Sequence, residues 1–210
     1  MDYDVLKTRF ISSSIILIIF IIFFMYLRDL INFLFICIYL LVFYEVYKNF
    51  TRKKIIIFLY IYLFLSFVCL QLYIIIYLNI NELLFVFLII SNFDTFSYLI
   101  GASFGHKKIF KKISPNKSYV GLFGGIFITI IIVLYLNYLF SFIEYIKLIY
   151  LIIFYIFLSF WGDVLESLFK RISLIKNSSN FIPGHGGIFD RFDSFIFCAY
   201  GLLIYNLIYQ

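Results

Sequence analysis

Residues 55–78 read IIIFLYIYLFLSFVCLQLYIIIYL, an unbroken run without a charged side chain. A helix rises about 1.5 Å per residue, so about 20 apolar residues cross the ~30 Å hydrocarbon core of a bilayer. This run is long enough to span, and similar runs lie on both sides of it. They are Phe10 to Leu27, Leu30 to Tyr47 with Glu45 inside it, and Leu83 to Ile100 interrupted by Asp94. Further on come Val120 to Ile143, Leu148 to Gly162 running into a polar segment, and Ser194 to Gln210. Composition agrees: the 210 residues are 65% apolar and only 13% charged, against about 45–50% and about 25% in soluble domains. That arithmetic excludes a disordered chain, a disulfide scaffold, a coiled coil and a soluble nucleic-acid binder. The aromatic fraction of 24% also fits the residue drift of an AT-rich genome and carries no functional weight. The expected fold is an all-α polytopic membrane protein with about seven transmembrane helices.

Seven spans divide the chain into eight alternating polar segments. Lys7, Arg9, Lys48, Arg52, Lys53, Lys54, Lys107, Lys108, Lys111, Lys112, Lys117, Lys170, Arg171, Lys176 and Arg191 fall on one side, and only Arg28 and Lys147 on the other. Cytoplasmic loops carry the excess of Lys and Arg, so the N-terminus is expected in the cytoplasm and the C-terminus outside. The net charge of +6 is then a topology signal that needs no nucleic-acid partner. The first run lacks a small-residue cleavage site and is expected to be a retained span. Cys37, Cys69 and Cys198 sit inside spans as small apolar fillers.

None of the ten glycines precedes Gly101, and both prolines, Pro115 and Pro183, lie beyond it. Residues 1–82 therefore read as a scaffold of plain transmembrane helices. Residues 83–210 contain the backbone that must turn sharply or approach something closely, and form the expected catalytic region. Two polar segments there, Asp94 to Gly125 and Gly162 to Asp193, are assigned to the cytoplasmic side. In the second, Asp163, Glu166, Ser167 and Lys170 share one helical face. Asp190 and Asp193 stack at the start of the last helix, after a Gly-rich turn whose N–H groups suit an anion. An isolated Asp-x-x-Asp is most simply a dipole-complementing cap. Carboxylates near hydrocarbon are costly, however, and Asp94, Asp163, Asp190 and Asp193 all fall near the cytoplasmic ends of spans. Oxygen-rich clusters suit Mg²⁺, which completes its shell with waters and substrate phosphates. With Lys170, Arg171, Lys176 and Arg191 close by in the sequence, the composite is a phosphate site suited to phosphoryl or nucleotidyl transfer.

No phosphate loop of the form G-x-x-x-x-G-K-S/T, no G-x-G-x-x-G and no H-E-x-x-H occurs. His106 and His185 are too few for a zinc site. Lys107, Lys108, Lys111 and Lys112 read first as a topology-setting, anionic-lipid-attracting loop, and Glu45 as a snorkelling or interhelical pairing residue outside the site.

Ser167-Leu-Phe-Lys170-Arg171, Lys176 and Ile182-Pro-Gly184-His185-Gly186-Gly187-Ile-Phe-Asp190-Arg191-Phe-Asp193 closely resemble the signature of the phosphatidate cytidylyltransferases, the CDP-diacylglycerol synthases. Asp94-Thr95, Gly101, Phe104-Gly105, Ser114-Pro-Asn-Lys117-Ser118, Gly121 and Gly124-Gly125 resemble a second block of that family, and Gly162-Asp163 with Glu166-Ser167 the start of the last. The likeness covers roughly residues 90–195. Two departures stand out: Asn177 occupies a position where the family usually has Asp, and only two spans fit between Glu45 and Asp94 where longer members have about four. A reduced scaffold with an intact site is expected.

The resemblance implies transfer of the cytidylyl group of CTP to phosphatidate, giving CDP-diacylglycerol and pyrophosphate at the cytoplasmic face of the cell membrane. Asp94, Asp163, Asp190 and Asp193 would hold Mg²⁺, and Lys170, Arg171 and Arg191 would neutralise the phosphates. Ser114, Lys117, Ser118, Ser167, His185, Gly186 and Gly187 would contact substrate. The expected partners are CTP, phosphatidate and membrane lipid, with a homodimer left open. The nearest alternatives are a CTP-dependent prenol kinase or an ether-lipid cytidylyltransferase. An ion-coupled transporter fits less well, since its carboxylates would lie near the midplane in both halves.

Overall fold

The computed structural model describes residues 30–141, 143–179, 181 and 186–209. The first expected span, Phe10 to Leu27, lies outside them, as does His185. Six helices follow: α1 (Ile31–Asn49), α2 (Lys53–Ile76), α3 (Ile80–Phe104), α4 (Tyr119–Phe140), α5 (Tyr145–Ile172) and α6 (Phe189–Tyr209). Each is long and apolar enough to cross a membrane, and the chain is a multi-pass helical membrane protein. They coincide with the six later apolar runs. As the spacing of its polar stripe predicts, α5 continues unbroken past Gly162 to Ile172 and carries Asp163–Lys170 on a helix.

The expectation of a purely helical fold is corrected at one point. Between α3 and α4 lie two short strands, β1 (Lys108–Phe110) and β2 (Ser114–Ser118), paired antiparallel with Lys108 opposite Ser118 and Phe110 opposite Ser114. Pro115 disfavours a helix here, and a hairpin lets a polar connection satisfy much of its own backbone. Phe110 anchors it beside Phe160 and Trp161 of α5, at 6.3 Å from each ring.

Water-driven burial does little between helices in lipid, so small residues and interhelical hydrogen bonds hold such bundles together. The α3–α4 contact shows the first device. A Cβ on Gly121 would collide with the Ser97 carbonyl, and one on Gly125 would lie 2.8 Å from Ser97 Cβ. The α5–α6 contact repeats it at Gly162, where a Cβ would meet the Asp193 carbonyl at 3.0 Å and Phe197 Cβ at 2.9 Å. Hydrogen bonds supply the second device. Ser66 of α2 donates to the Ile196 carbonyl of α6 at 2.6 Å, and its hydroxyl pairs with that of Tyr39 of α1 at 2.6 Å. At the other end of the bundle, Asn206 donates to the buried Glu82 at 2.9 Å. Beside the Ile196 tie, Phe195 stacks on Phe87 at 4.4 Å and on Phe35 at 5.2 Å.

The contacts of Glu45, Asp94 and Arg171 bring the C-terminal ends of α1, α3 and α5, the hairpin and the start of α6 to one end of the bundle. Lys48, Lys53, the hairpin lysines, Lys170, Lys176 and Arg191 belong to that end, and Lys147, beyond α4, to the opposite one. The charge asymmetry of the sequence is thus a spatial one.

Candidate active site

A cleft of about 560 Å³ opens at the basic end, within the range of small-molecule sites. Its walls include Asp94 and Ser97 from α3, Ser114–Ser118 from β2, and Asp163, Ser167, Lys170 and Arg171 from α5, with Lys176 and Asn177 beyond. Two stretches far apart in sequence therefore meet across one cavity. Gly121 and Gly125 let α4, and with it β2, lie close against α3. Gly162 lets α6 approach α5 where Asp163 and Asp193 must face each other.

Lys117 crosses the cleft to pair with Asp163 Oδ2 at 2.9 Å. It also donates to the Phe160 carbonyl at 3.3 Å and lies 4.3 Å from the Phe160 ring centre. Ser167 donates to Asp163 Oδ1 at 3.3 Å, and Ser159 to Asp94 Oδ1 at 3.3 Å. Arg171 Nε reaches the Ile113 carbonyl at 3.2 Å and fastens the hairpin to α5. Ser118 caps α4 by accepting from the Gly121 N–H at 3.1 Å.

Carboxylates of Asp163, Glu166 and Asp193 converge, each offering an oxygen within 4.8 Å of the others. Glu166 Oε2 pairs with Lys170 at 2.6 Å, while its buried Oε1 has no hydrogen-bond partner among the described residues. Buried polar atoms are normally satisfied, and a trio of hard oxygen donors with one spare ligand atom fits Mg²⁺. This trio differs from the four aspartates read from the sequence. Glu166, recognised there only as a member of the stripe, joins the cluster. Asp94 lines the cleft but is not in the trio.

Asp190 is not in the trio but shares Lys170 with Glu166. It accepts from Lys170 Nζ at 3.0 Å, from the Ser178 N–H at 3.1 Å and from the Gly187 N–H at 2.9 Å. Of the two aspartates of Asp-x-x-Asp, Asp190 thus holds Lys170 and two loop amides, and Asp193 lies with Asp163 and Glu166. The described part of the Gly-rich turn departs from the phosphate cradle expected of it. Gly187 N–H faces Asp190, and the N–H groups of Ile188 and Phe189 face Glu45 at 2.8 and 2.9 Å. Gly186 and Gly187 are buried and do not line the cleft, and Arg191 is exposed away from it. Ser114, Lys117, Ser118, Ser167, Lys170 and Arg171 do line it.

Glu45 is the residue that sequence reasoning set aside. It is 2% exposed and receives Ser178 Oγ at 3.3 Å and Ser179 Oγ at 2.7 Å besides the two amides. The available signal was a lone carboxylate inside an apolar span.

Fold and site together define a polytopic membrane protein with a carboxylate-and-lysine cleft suited to phosphate chemistry. The profile of the cytidylyltransferase family matches residues 48–209, and the chain belongs to that family. It is 39% identical over 120 residues to a phosphatidate cytidylyltransferase of Staphylococcus aureus strain COL, covering 57% of this chain and 46% of the relative. A phosphatidate cytidylyltransferase of Haemophilus influenzae strain Rd is 38% identical over 118 residues, covering 53% and 41%. One from Staphylococcus epidermidis strain RP62A is 38% identical over 122 residues, covering 57% and 46%. The chain spans about half the length of the curated relatives it matches.

Proposed function

We propose that this chain transfers the cytidylyl group of CTP to phosphatidate, releasing pyrophosphate and leaving CDP-diacylglycerol in the membrane. The observation that carries the reading is the meeting of Ser114–Ser118 with Asp163–Arg171 across one cleft at the basic end of the bundle, in a chain of the cytidylyltransferase family. The positive-inside rule puts that end in the cytoplasm, where CTP is available. The lipid phosphate would enter from the plane of the membrane.

Phosphatidate is already anionic at neutral pH, so attack of its phosphate oxygen on the α-phosphorus of CTP needs no strong general base. The barrier lies in bringing two anions together in line. Lys117, Lys170, Arg171 and Lys176 supply positive charge along the cleft, and the Ser114 and Ser167 hydroxyls sit where they could orient phosphate oxygens. Asp163, Glu166 and Asp193 would hold Mg²⁺, which when bound would offset charge on the triphosphate and the leaving pyrophosphate. Lys117, which pairs with Asp163 in the wall of the cleft, would be placed to meet the phosphates as well.

Membranes containing the chain should convert labelled CTP and phosphatidate into labelled CDP-diacylglycerol, and chelation should stop the reaction until Mg²⁺ is restored. Asp193→Asn should abolish turnover while folded protein persists. A prenol or ether-lipid phosphate preferred over phosphatidate would overturn the acceptor assignment. Wild-type turnover by Asp193→Asn would overturn the metal assignment.

A further inference from the structure

We infer that Glu45 is a positioning residue for the site, acting through the start of α6. Its carboxylate lies in α1, within the half of the chain that reads as scaffold, yet among the described residues all the carboxylate's hydrogen-bond partners lie in residues 178–189. Oε2 accepts from Ser178 Oγ and the Phe189 N–H, and Oε1 from Ser179 Oγ and the Ile188 N–H. The two amides are those at the start of α6, where a carboxylate satisfies orphan donors and complements the helix dipole. Among the described residues no Lys or Arg pairs with Glu45, and its partners are these four neutral donors.

Gly187 shows how closely the carboxylate approaches. A Cβ there would lie 2.7 Å from Glu45 Oε2 and 2.8 Å from Ser179 Oγ, so only glycine leaves room for the clamp. Asp190 holds the same loop from its other side through the Ser178 and Gly187 amides. Two carboxylates from different helices thus fix where α6 begins. Asp193 sits one turn further along α6, so the height and rotation of that start decide whether its carboxylate reaches Asp163 and Glu166. Glu45 touches none of the three and acts through the helix that carries one of them.

The test compares the purified 210-residue wild-type chain, Glu45→Gln, Glu45→Asp and the double variant Ser178→Ala/Ser179→Ala. Glu82→Gln serves as a control, a buried carboxylate at the opposite end. Three readouts are taken: amide hydrogen exchange at residues 186–189, Mn²⁺ affinity by paramagnetic resonance without substrate, and the Mg²⁺ dependence of kcat. Glu45→Gln should speed exchange at Ile188 and Phe189 about tenfold or more. It should also weaken Mn²⁺ binding by about 10- to 100-fold, as loss of outer-shell support does. Glu45→Asp should recover part of both effects, the double variant should move both the same way, and Glu82→Gln should move neither. Should Glu45→Gln fail to fold, the double variant decides. Lowered thermal stability with unchanged exchange and unchanged Mn²⁺ affinity would mark Glu45 as merely structural and overturn the inference. The kcat arm rests on the cytidylyl-transfer reading and the other two do not. If the wild type makes no CDP-diacylglycerol while Glu45→Gln still shifts exchange and Mn²⁺ affinity, the function reading fails and the positioning role stands. If the wild type binds no Mn²⁺, the metal assignment fails and the exchange result alone decides the positioning role.

Discussion

Replacing Lys170 by Met removes one buried cation from between two buried anions. Its ammonium lies 2.6 Å from Glu166 and 3.0 Å from Asp190, with side-chain exposures of 13%, 3% and 9% for Lys170, Glu166 and Asp190. At an effective dielectric of about 20, each contact carries roughly 6 kcal/mol of Coulomb attraction. Desolvation of the three groups consumes most of this, so the intact triad adds little net stability. Removing only the cation leaves both carboxylates desolvated and facing each other, which costs about 3–5 kcal/mol. Methionine keeps an unbranched side chain of similar length, so packing changes little. The readout is reversible unfolding in SDS, followed through the fluorescence of Trp161, the one tryptophan of the chain, which packs against Phe110 beside the site. Adding Glu166→Gln to Lys170→Met should return at least about 2 kcal/mol, because one of the unpaired charges is then gone. A Lys170→Met protein within about 1 kcal/mol of wild type would refute the reasoning. So would a double variant no more stable than the single.

Two further predictions address packing and orientation. Gly125→Ala should cost about 1–3 kcal/mol, because its Cβ would lie 2.8 Å from Ser97 Cβ; Ser103→Ala, on an exposed part of α3, should cost nothing measurable by the same unfolding assay. In intact cells a membrane-impermeant maleimide should label Lys147→Cys, while Lys111→Cys at the hairpin should react only after permeabilisation. The reverse pattern would invert the topology.

Much of the fold was legible because membrane helices announce themselves by length. The six apolar runs from Leu30 onward correspond to α1–α6 to within a few residues at most of their ends. The exception was polar and local: the 108–118 hairpin carries too few residues to declare a period. The charged last turns of α5 were legible through the helical spacing of Asp163, Glu166, Ser167 and Lys170. The site was legible as two stretches with matching chemistry, and their residues do meet across one cleft. Their division of labour was not legible. Asp190 and Asp193 are three residues apart and chemically identical, yet one is spent on Lys170 and two loop amides while the other joins Asp163 and Glu166.

By itself the sequence determined that this chain lives in a bilayer, which end of it is basic, and which two polar stretches contribute the walls of the cleft. These follow from apolar run length and from charge placement along the chain, both one-dimensional quantities. Only the tertiary structure decided which partners each carboxylate takes. That depends on donors brought from distant segments: Lys170 and Ser178 for Asp190, Lys117 for Asp163, Ser178 and Ser179 for Glu45. It also drew Glu45 into the support of the site from a helix that reads as plain scaffold, because a buried charge takes its partners from whatever packs against it.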